Sequence, residues 1–403
     1  MRHLVIRNLG SLAEADVYLE RMNIVVGPQC SGKSSLLKSA SYCSWVEKRI
    51  QLSQNPDQFK EKGYFEKKFV EFHKLAGYTS PDTFLMYEND TMAFSYSWRS
   101  GVFDFEWKGN RWEYVCPKVS YIPSERNIVA AIPNWFEVSL GDNNIRGFMK
   151  DWEVARSYSG DGLPILNMGV KYRFDSGSRK DKVVLDNGEL LEFTDTSSGL
   201  QSLIPLMTYL NYIYVARFEG PTEKSVSREQ EEENLMNSLY KKEFIDKGLI
   251  AKIEPKYETG ENGENIFVLD RLLHQVNGKY LIFDKKEDIE RFDKIFKNFT
   301  DMSVNDVFLE EPELNLFPPT QSLLVDTLVD FAKSRHGGVL FVATHSPYVV
   351  TSFIEKKDNS GVRLFLSQSS DNGKYVIRTA SGEDVQQIYD YNIDIFHNIE
   401  NIK

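Results

Sequence analysis

The run Gly27-Pro28-Gln29-Cys30-Ser31-Gly32-Lys33-Ser34-Ser35 follows the apolar stretch Asn23-Ile24-Val25-Val26 directly, and its first eight residues fit G-x-x-x-x-G-K-[ST]. A chain carrying this run after a strand is constrained to a strand–loop–helix unit whose glycines let the backbone wrap tightly round phosphates. Successive N–H groups and the N-terminus of the following helix point partial positive charge at the same oxygens. The spacing predicts that Lys33 reaches the β and γ phosphates of a nucleoside triphosphate. It also predicts that the Ser34 hydroxyl ligates Mg²⁺, which takes oxygen ligands and keeps several waters. Gly27, Pro28, Gln29, Cys30, Ser31, Gly32, Lys33, Ser34 and Ser35 are thus the first candidate binding residues.

With 403 residues, 41% of them hydrophobic, the chain has enough apolar material for a large core and for two or three structural units inserted into one another. No apolar stretch approaches the ~18 residues of a membrane span, and Met1 to Ile6 enters a strand-like pattern instead of a signal peptide. A soluble cytoplasmic protein without a membrane partner is expected. Cys30, Cys43 and Cys116 show no C-x-x-C spacing, which argues against a zinc site or a disulfide framework and makes Cys30 a small polar filler of the loop. The net charge of −11 argues against broad adhesion to nucleic acid, but leaves room for a local basic face.

Residues 3 to 8, 14 to 19 and 22 to 26 read as strands, and a helix starts near Lys33 with Leu36, Leu37, Ala40 and Cys43 on one face. From 83 to 122 the pattern becomes aromatic and alternating, with Phe84, Phe94, Tyr96, Trp98, Phe103, Phe105 and Trp107, which predicts an antiparallel β lobe. Buried cross-strand pairs account for these rings more simply than a base-stacking platform does. Residues 142 to 157 read as helix, 170 to 193 as strands, and helix resumes at Gly199. Between 219 and 300 the chain turns polar and charged, which predicts a helical insertion opened by a mobile segment around Glu229 to Glu233. Val307-Phe308-Leu309 and Val339 to Ala343 then read as buried strands flanking a helix at 318 to 335. Strands alternating with helices at this spacing imply a parallel sheet with its site at the carboxyl ends of the strands.

Glu310 and Glu311 stand at one such end, ahead of Pro312-Glu313-Leu314-Asn315-Leu316-Phe317-Pro318. One carboxylate there could hold Mg²⁺ through its water shell while the next orients and deprotonates the water that attacks the γ phosphate. His345, in Thr344-His345-Ser346-Pro347, could hydrogen bond to that phosphate.

The order of phosphate loop, Ser197-Ser198-Gly199, Leu309-Glu310-Glu311-Pro312 and Thr344-His345-Ser346 resembles the ABC-type ATPase series of Walker A, signature, Walker B with catalytic glutamate, and H-loop. The wording Glu310-Glu311-Pro312-Glu313 with Leu316 and Pro318 resembles the soluble SMC-like and OLD-like branch, which includes ATPases of phage-defence systems. The resemblance implies an α/β fold: a P-loop NTPase core with a mixed sheet, an antiparallel β lobe and a helical insertion. It divides the chain into an ATPase core at 1–60 and 300–403, a β-rich lobe at 61–198, a signature helix at 199–218 and a mainly helical insertion at 219–299. ATP and Mg²⁺ are the implied cofactors, with Ser34 and Glu310 on the metal, Glu311 and His345 catalytic, and Ser197, Ser198 and Gly199 on nucleotide. Three departures stand out, of which two are substitutions: Ser198 replaces a glycine of the family's signature, and Glu310 stands where Asp is usual. No glutamine is assignable to the Q-loop; the segment Ser120 to Arg126 is the candidate for an equivalent lining.

Membership would further imply a homodimer or higher oligomer closing composite ATP sites. The function expected from it is a defence ATPase that senses a trigger and controls a separate nuclease or toxin, with nucleic acid a further candidate partner. An SMC-like DNA repair ATPase is the alternative, but no sustained heptads supply coiled-coil arms. A transporter subunit fits less well, since over one hundred residues separate Ser198 from Glu310. A non-catalytic scaffold would not require Glu311. The 58 residues after His345 show no acidic cluster resembling a nuclease.

Overall fold

The computed structural model of the chain describes residues 1–219, 226–250, 256–259, 265–268, 271–356, 361–370 and 373–391. The chain opens with β1 (Arg2–Leu9), β2 (Leu12–Leu19) and β3 (Met22–Val26), then the loop and the helix Lys33–Ser53. β4 (Phe84–Glu88), β5 (Met92–Ser97), β6 (Val102–Trp107) and β7 (Pro117–Ile122) follow. After the helix Asn144–Arg156 come β8 (Leu163–Pro164), β9 (Val170–Asp175), β10 (Lys180–Leu185) and β11 (Leu190–Glu192). The helix Ser198–Tyr214 leads to two hairpins, β12 (Lys256–Thr259) with β13 (Asn265–Val268) and β14 (Leu272–Val276) with β15 (Lys279–Phe283). β16 (Val304–Glu310), β17 (Gly337–Thr344), β18 (Val362–Ser369) and β19 (Tyr375–Thr379) complete the strands.

Eleven of these strands form one mixed sheet in the order β6-β5-β4-β1-β2-β19-β18-β3-β17-β16-β7. The block β7-β16-β17-β3-β18 is parallel throughout. Within it Ile24-Val25-Val26, Val307-Phe308-Leu309 and Val339 to Ala343 read as continuous apolar runs because both faces are covered. Alternation sends Ile24, Val307, Leu309, Leu340, Val342, Leu364 and Leu366 into the core on one face. Val25, Phe308, Phe341, Ala343 and Phe365 enter the core on the other. The helices Ser198–Tyr214, Pro318–Lys333 and Pro347–Glu355 supply the first core, and the helix Lys33–Ser53 supplies the second. Parallel neighbours need such crossovers, which explains why strands adjacent in space are distant in sequence.

The aromatic segment is not a separate lobe. β4 pairs with β1, and β5 and β6 extend the central sheet antiparallel beyond it, while β7 joins the opposite edge beside β16. Tyr96 lies opposite Phe103 in register, and Phe65 stacks on Tyr96 with ring centroids 4.7 Å apart. Phe94, Tyr96 and Phe103 are buried, so these rings are sheet core and offer no platform for bases. The largest separate antiparallel sheet among the described residues is the four-stranded β11-β10-β9-β8, whose Tyr172 and Val183 pack with Trp152 and Phe193.

The stretch 219–299 carries hairpins as well as helices, which its charged sequence did not announce. Glu229 to Glu233, expected in a mobile segment, lies in the helix Val226–Leu239; residues 220–225 lie outside the described set. Leu235, Met236, Leu239, Phe244, Phe283, Phe292 and Phe299 form a third core with Tyr114 and Cys116. An ion pair of 2.6 Å between Arg49 and Glu231 ties it to the helix Lys33–Ser53. Among the described residues no helix is long and apolar enough to cross a membrane.

Candidate functional site

β3, β16 and β17 end side by side, so the residues just past them meet. β3 delivers the loop at Gly27, where an added Cβ would lie 2.6 Å from the Ser367 Cβ and 2.9 Å from the Ser367 carbonyl oxygen. Only glycine fits there. Ser367 on β18 also donates its hydroxyl to the Ser31 carbonyl at 2.7 Å and so braces the loop from behind. Gly32 takes φ 85°, a left-handed conformation that glycine adopts without strain, and lets the helix begin at Lys33.

Lys33 is folded back on its own loop. Its ammonium donates to the carbonyls of Gly27 at 2.8 Å and Pro28 at 2.5 Å. Burial lowers its pKa to about 8, against the pull of Glu311 and Glu313. The cleft beside it, about 540 Å³, is lined by Gln29 to Ser35, by Gly10, Ser11, Gly77 and Tyr78, and by Glu311 and His345. A cationic ammonium poised among loop carbonyls, with N–H groups of a glycine loop around it, suits an anionic group.

Glu310 closes β16, 6% exposed, with one carboxylate oxygen 3.4 Å from the Ser124 N–H. Glu311 leaves the strand at φ 42°, an uncommon conformation for a residue with a side chain, and its N–H donates to the Ala343 carbonyl at 2.8 Å. Burial, then the neighbouring Glu313 and Glu310 carboxylates, raise the pKa of its side chain. The Glu311 carboxylate lies 3.7 Å from His345 Nε2. Burial and the Lys33 charge lower the imidazole pKa to about 4, leaving a neutral ring at pH 7. The His345 N–H donates to Glu313 at 2.7 Å, which links the ends of β16 and β17.

The loop, Glu311 and His345 are therefore brought together, as their sequence order suggested. Ser197, Ser198 and Gly199 are not among the residues that line this cleft. Ser197 caps the helix Ser198–Tyr214 and accepts from the Leu200 N–H at 3.4 Å; Ser197 and Ser198 are exposed. An added Cβ on Gly199 would lie 3.0 Å from the Asn315 carbonyl, so the helix start sits against the loop that follows Glu311.

The segment Ser120 to Arg126 does reach this region, and its two charged residues part ways there. Glu125 is exposed and 3.5 Å from Lys74. Arg126 is fully buried and donates to backbone carbonyls of Glu310, Glu311 and Pro312. The sequence placed that segment beside the site without revealing the arginine's buried position. Ser367 was not singled out at all, and Glu313 was read as part of the Glu310 to Pro318 run without a role of its own. For Ser367 the usable signal was the apolar stretch Leu364-Phe365-Leu366 just before it, which reads as a strand; the structure sets that strand, β18, beside β3.

No protein-family model and no curated protein matches the chain. Solved structures similar to it include the SMC head domain from Thermotoga maritima, 11% identical, with 94% of this chain and 100% of that chain covered at a TM-score of 0.41. The SmcHead bound to the C-winged helix domain of ScpA is 9% identical, with 96% and 99% covered at 0.42. The recombination mediator protein RecF is 11% identical, with 94% and 97% covered at 0.28.

Proposed function

We propose that the protein binds and hydrolyses ATP as an ABC-type ATPase. The observation that carries this reading is the meeting of Lys33, Glu311 and His345 on one cleft walled by Gln29 to Ser35, although over three hundred positions separate the first from the last. Lys33 exchanges its loop carbonyls for β and γ phosphate oxygens, and the loop N–H groups hold the same anion. Glu311, with its raised pKa, accepts the proton of the attacking water. Neutral His345 donates Nε2–H to the γ phosphate. The hydroxyl of Ser34 and the carboxylate of Glu310 are hard oxygen donors of the kind Mg²⁺ takes together with phosphates and water. Mg²⁺, when bound, supplies charge that neutralises the β and γ oxygens. The test is phosphate release from Mg-ATP by purified protein beside its Lys33→Met and Glu311→Gln variants. Wild-type protein that releases none, or a Lys33→Met variant as active as wild type, sinks the reading.

Ser197, Ser198 and Gly199 lie outside their own cleft at an exposed helix start, which supports their acting on nucleotide held by a second copy in a composite dimer or larger oligomer. Light scattering tests this: Glu311→Gln with ATP should shift to twice the mass or more, and a constant monomer mass would refute it. The resemblance of Glu310 to Pro318 to the phage-defence ATPases supports control of a separate cytoplasmic effector by this cycle. That role is tested by co-purification with the product of the neighbouring gene, with and without ATP.

A further inference from the structure

Arg126 has no exposed surface, yet it is a cation whose hydrogen-bond partners are all backbone carbonyls. Nε donates to Ser202 at 3.1 Å; Nη1 donates to Pro123 at 3.3 Å and Glu310 at 2.9 Å; Nη2 donates to Glu311 at 2.7 Å and Pro312 at 3.3 Å. Burial lowers its pKa to about 10, with Glu313, Glu311 and Glu310 opposing at longer range. Burying a charge without an ion-pair partner is costly, and a turn can be braced by neutral groups. What the guanidinium offers is a rigid planar fork of five donors that spans several acceptors at once.

The acceptors belong to three elements. Pro123 follows β7, Ser202 is on the helix Ser198–Tyr214, and Glu310, Glu311 and Pro312 are the turn that sets Glu311 at φ 42°. Ser202 is gripped a second time, since its hydroxyl accepts from Asn315 Nδ2 at 2.9 Å. The turn after β16 and the start of that helix are thus joined at one residue from both sides. We infer that Arg126 is a positioning residue that holds Glu311 in its left-handed turn and links it to the helix beginning at Ser198, so that an anion engaging the start of that helix alters turnover at Glu311.

This rests on the ATPase reading above. Arg126→Lys keeps the charge but gathers its donors at one point and cannot span strand and helix together; Arg126→Gln avoids a buried charge altogether. Both variants should lower kcat tenfold or more while the Kd for ATP stays within threefold. In a double-mutant cycle on kcat, Ser197→Ala should lose most of its effect in the Arg126→Lys background, because the link it acts through is already cut. The inference is overturned if Arg126→Lys keeps kcat within twofold, if kcat and affinity fall in parallel, if the two losses add, or if neither variant folds. Wild-type protein without turnover removes the reaction itself, whereas active wild type with unaffected Arg126 variants overturns this inference alone.

Discussion

Replacing Lys33 with methionine should stabilise the protein in the absence of nucleotide while abolishing its response to ATP. Lys33 as a residue is 5% exposed, and its pKa falls from 10.5 to about 8. At ~1.36 kcal/mol per unit, carrying that charge into the fold costs about 3 kcal/mol at pH 7. The bonds to Gly27 and Pro28 are lost in the variant, but those carbonyls belong to half-buried residues and can rehydrate, so about 1–2 kcal/mol should remain in its favour. The sign follows from the lowered pKa: the penalty is complete below about pH 8, where both states bind the proton, and is relieved between about 8 and 10.5, where only the unfolded chain does. Urea unfolding in EDTA without nucleotide should therefore place Lys33→Met above wild type at pH 7, with the gap narrowing near pH 9.5. Mg-ATP at ~100 times its Kd should then raise wild type by about 2.7 kcal/mol and leave the variant where it was. A variant less stable than wild type at pH 7, a gap indifferent to pH, or a variant that ATP still stabilises would refute the reasoning.

Glu311→Gln should keep ATP affinity within a few-fold and lower single-turnover hydrolysis by ~10²–10⁴, since the water loses its base; unchanged turnover would move that role to Glu310 or His345. Gly27→Ala forces a methyl within 2.6 Å of the Ser367 side chain, and should cost about 1–3 kcal/mol in urea unfolding and weaken ATP binding; a variant equal to wild type in both would show that the loop does not press on β18. Leu235→Ala, at a fully buried position, should destabilise the third core by about 2–5 kcal/mol, seen as faster hydrogen exchange across the helix Lys286–Thr300, while ATP binding persists. Loss of ATP binding in that variant would make the insertion part of the nucleotide site.

What the sequence disclosed, and what it hid, divides along the range of the interaction. The strand–loop–helix unit at Met22 to Ser53 was legible because strand, turn and helix are contiguous, and glycine spacing alone encodes the backbone path at Gly27 and Gly32. Glu311 and His345 were legible for a related reason: each directly follows a buried apolar strand, and parallel strands share the end at which they present residues. The destination of β4 to β6 was not, because alternation in Phe94, Tyr96 and Phe103 specifies a strand with one buried face but not the neighbour it pairs with. That choice is made by β1, more than seventy residues earlier. The third core was masked by composition, since the charges of Glu229 to Glu233 outweigh the later Leu235, Met236 and Leu239 in any local average.

Arg126 was hidden most completely, because an arginine after a proline turn ordinarily reads as surface. Its burial is decided by carbonyls that three separate segments present, and a backbone acceptor leaves no mark in the side-chain sequence. The residue that ties the turn at Glu311 to the helix at Ser202 is therefore one whose partners can be any amino acid. A search by motif finds the groups that would face the phosphate and passes over the group that holds one of them in place.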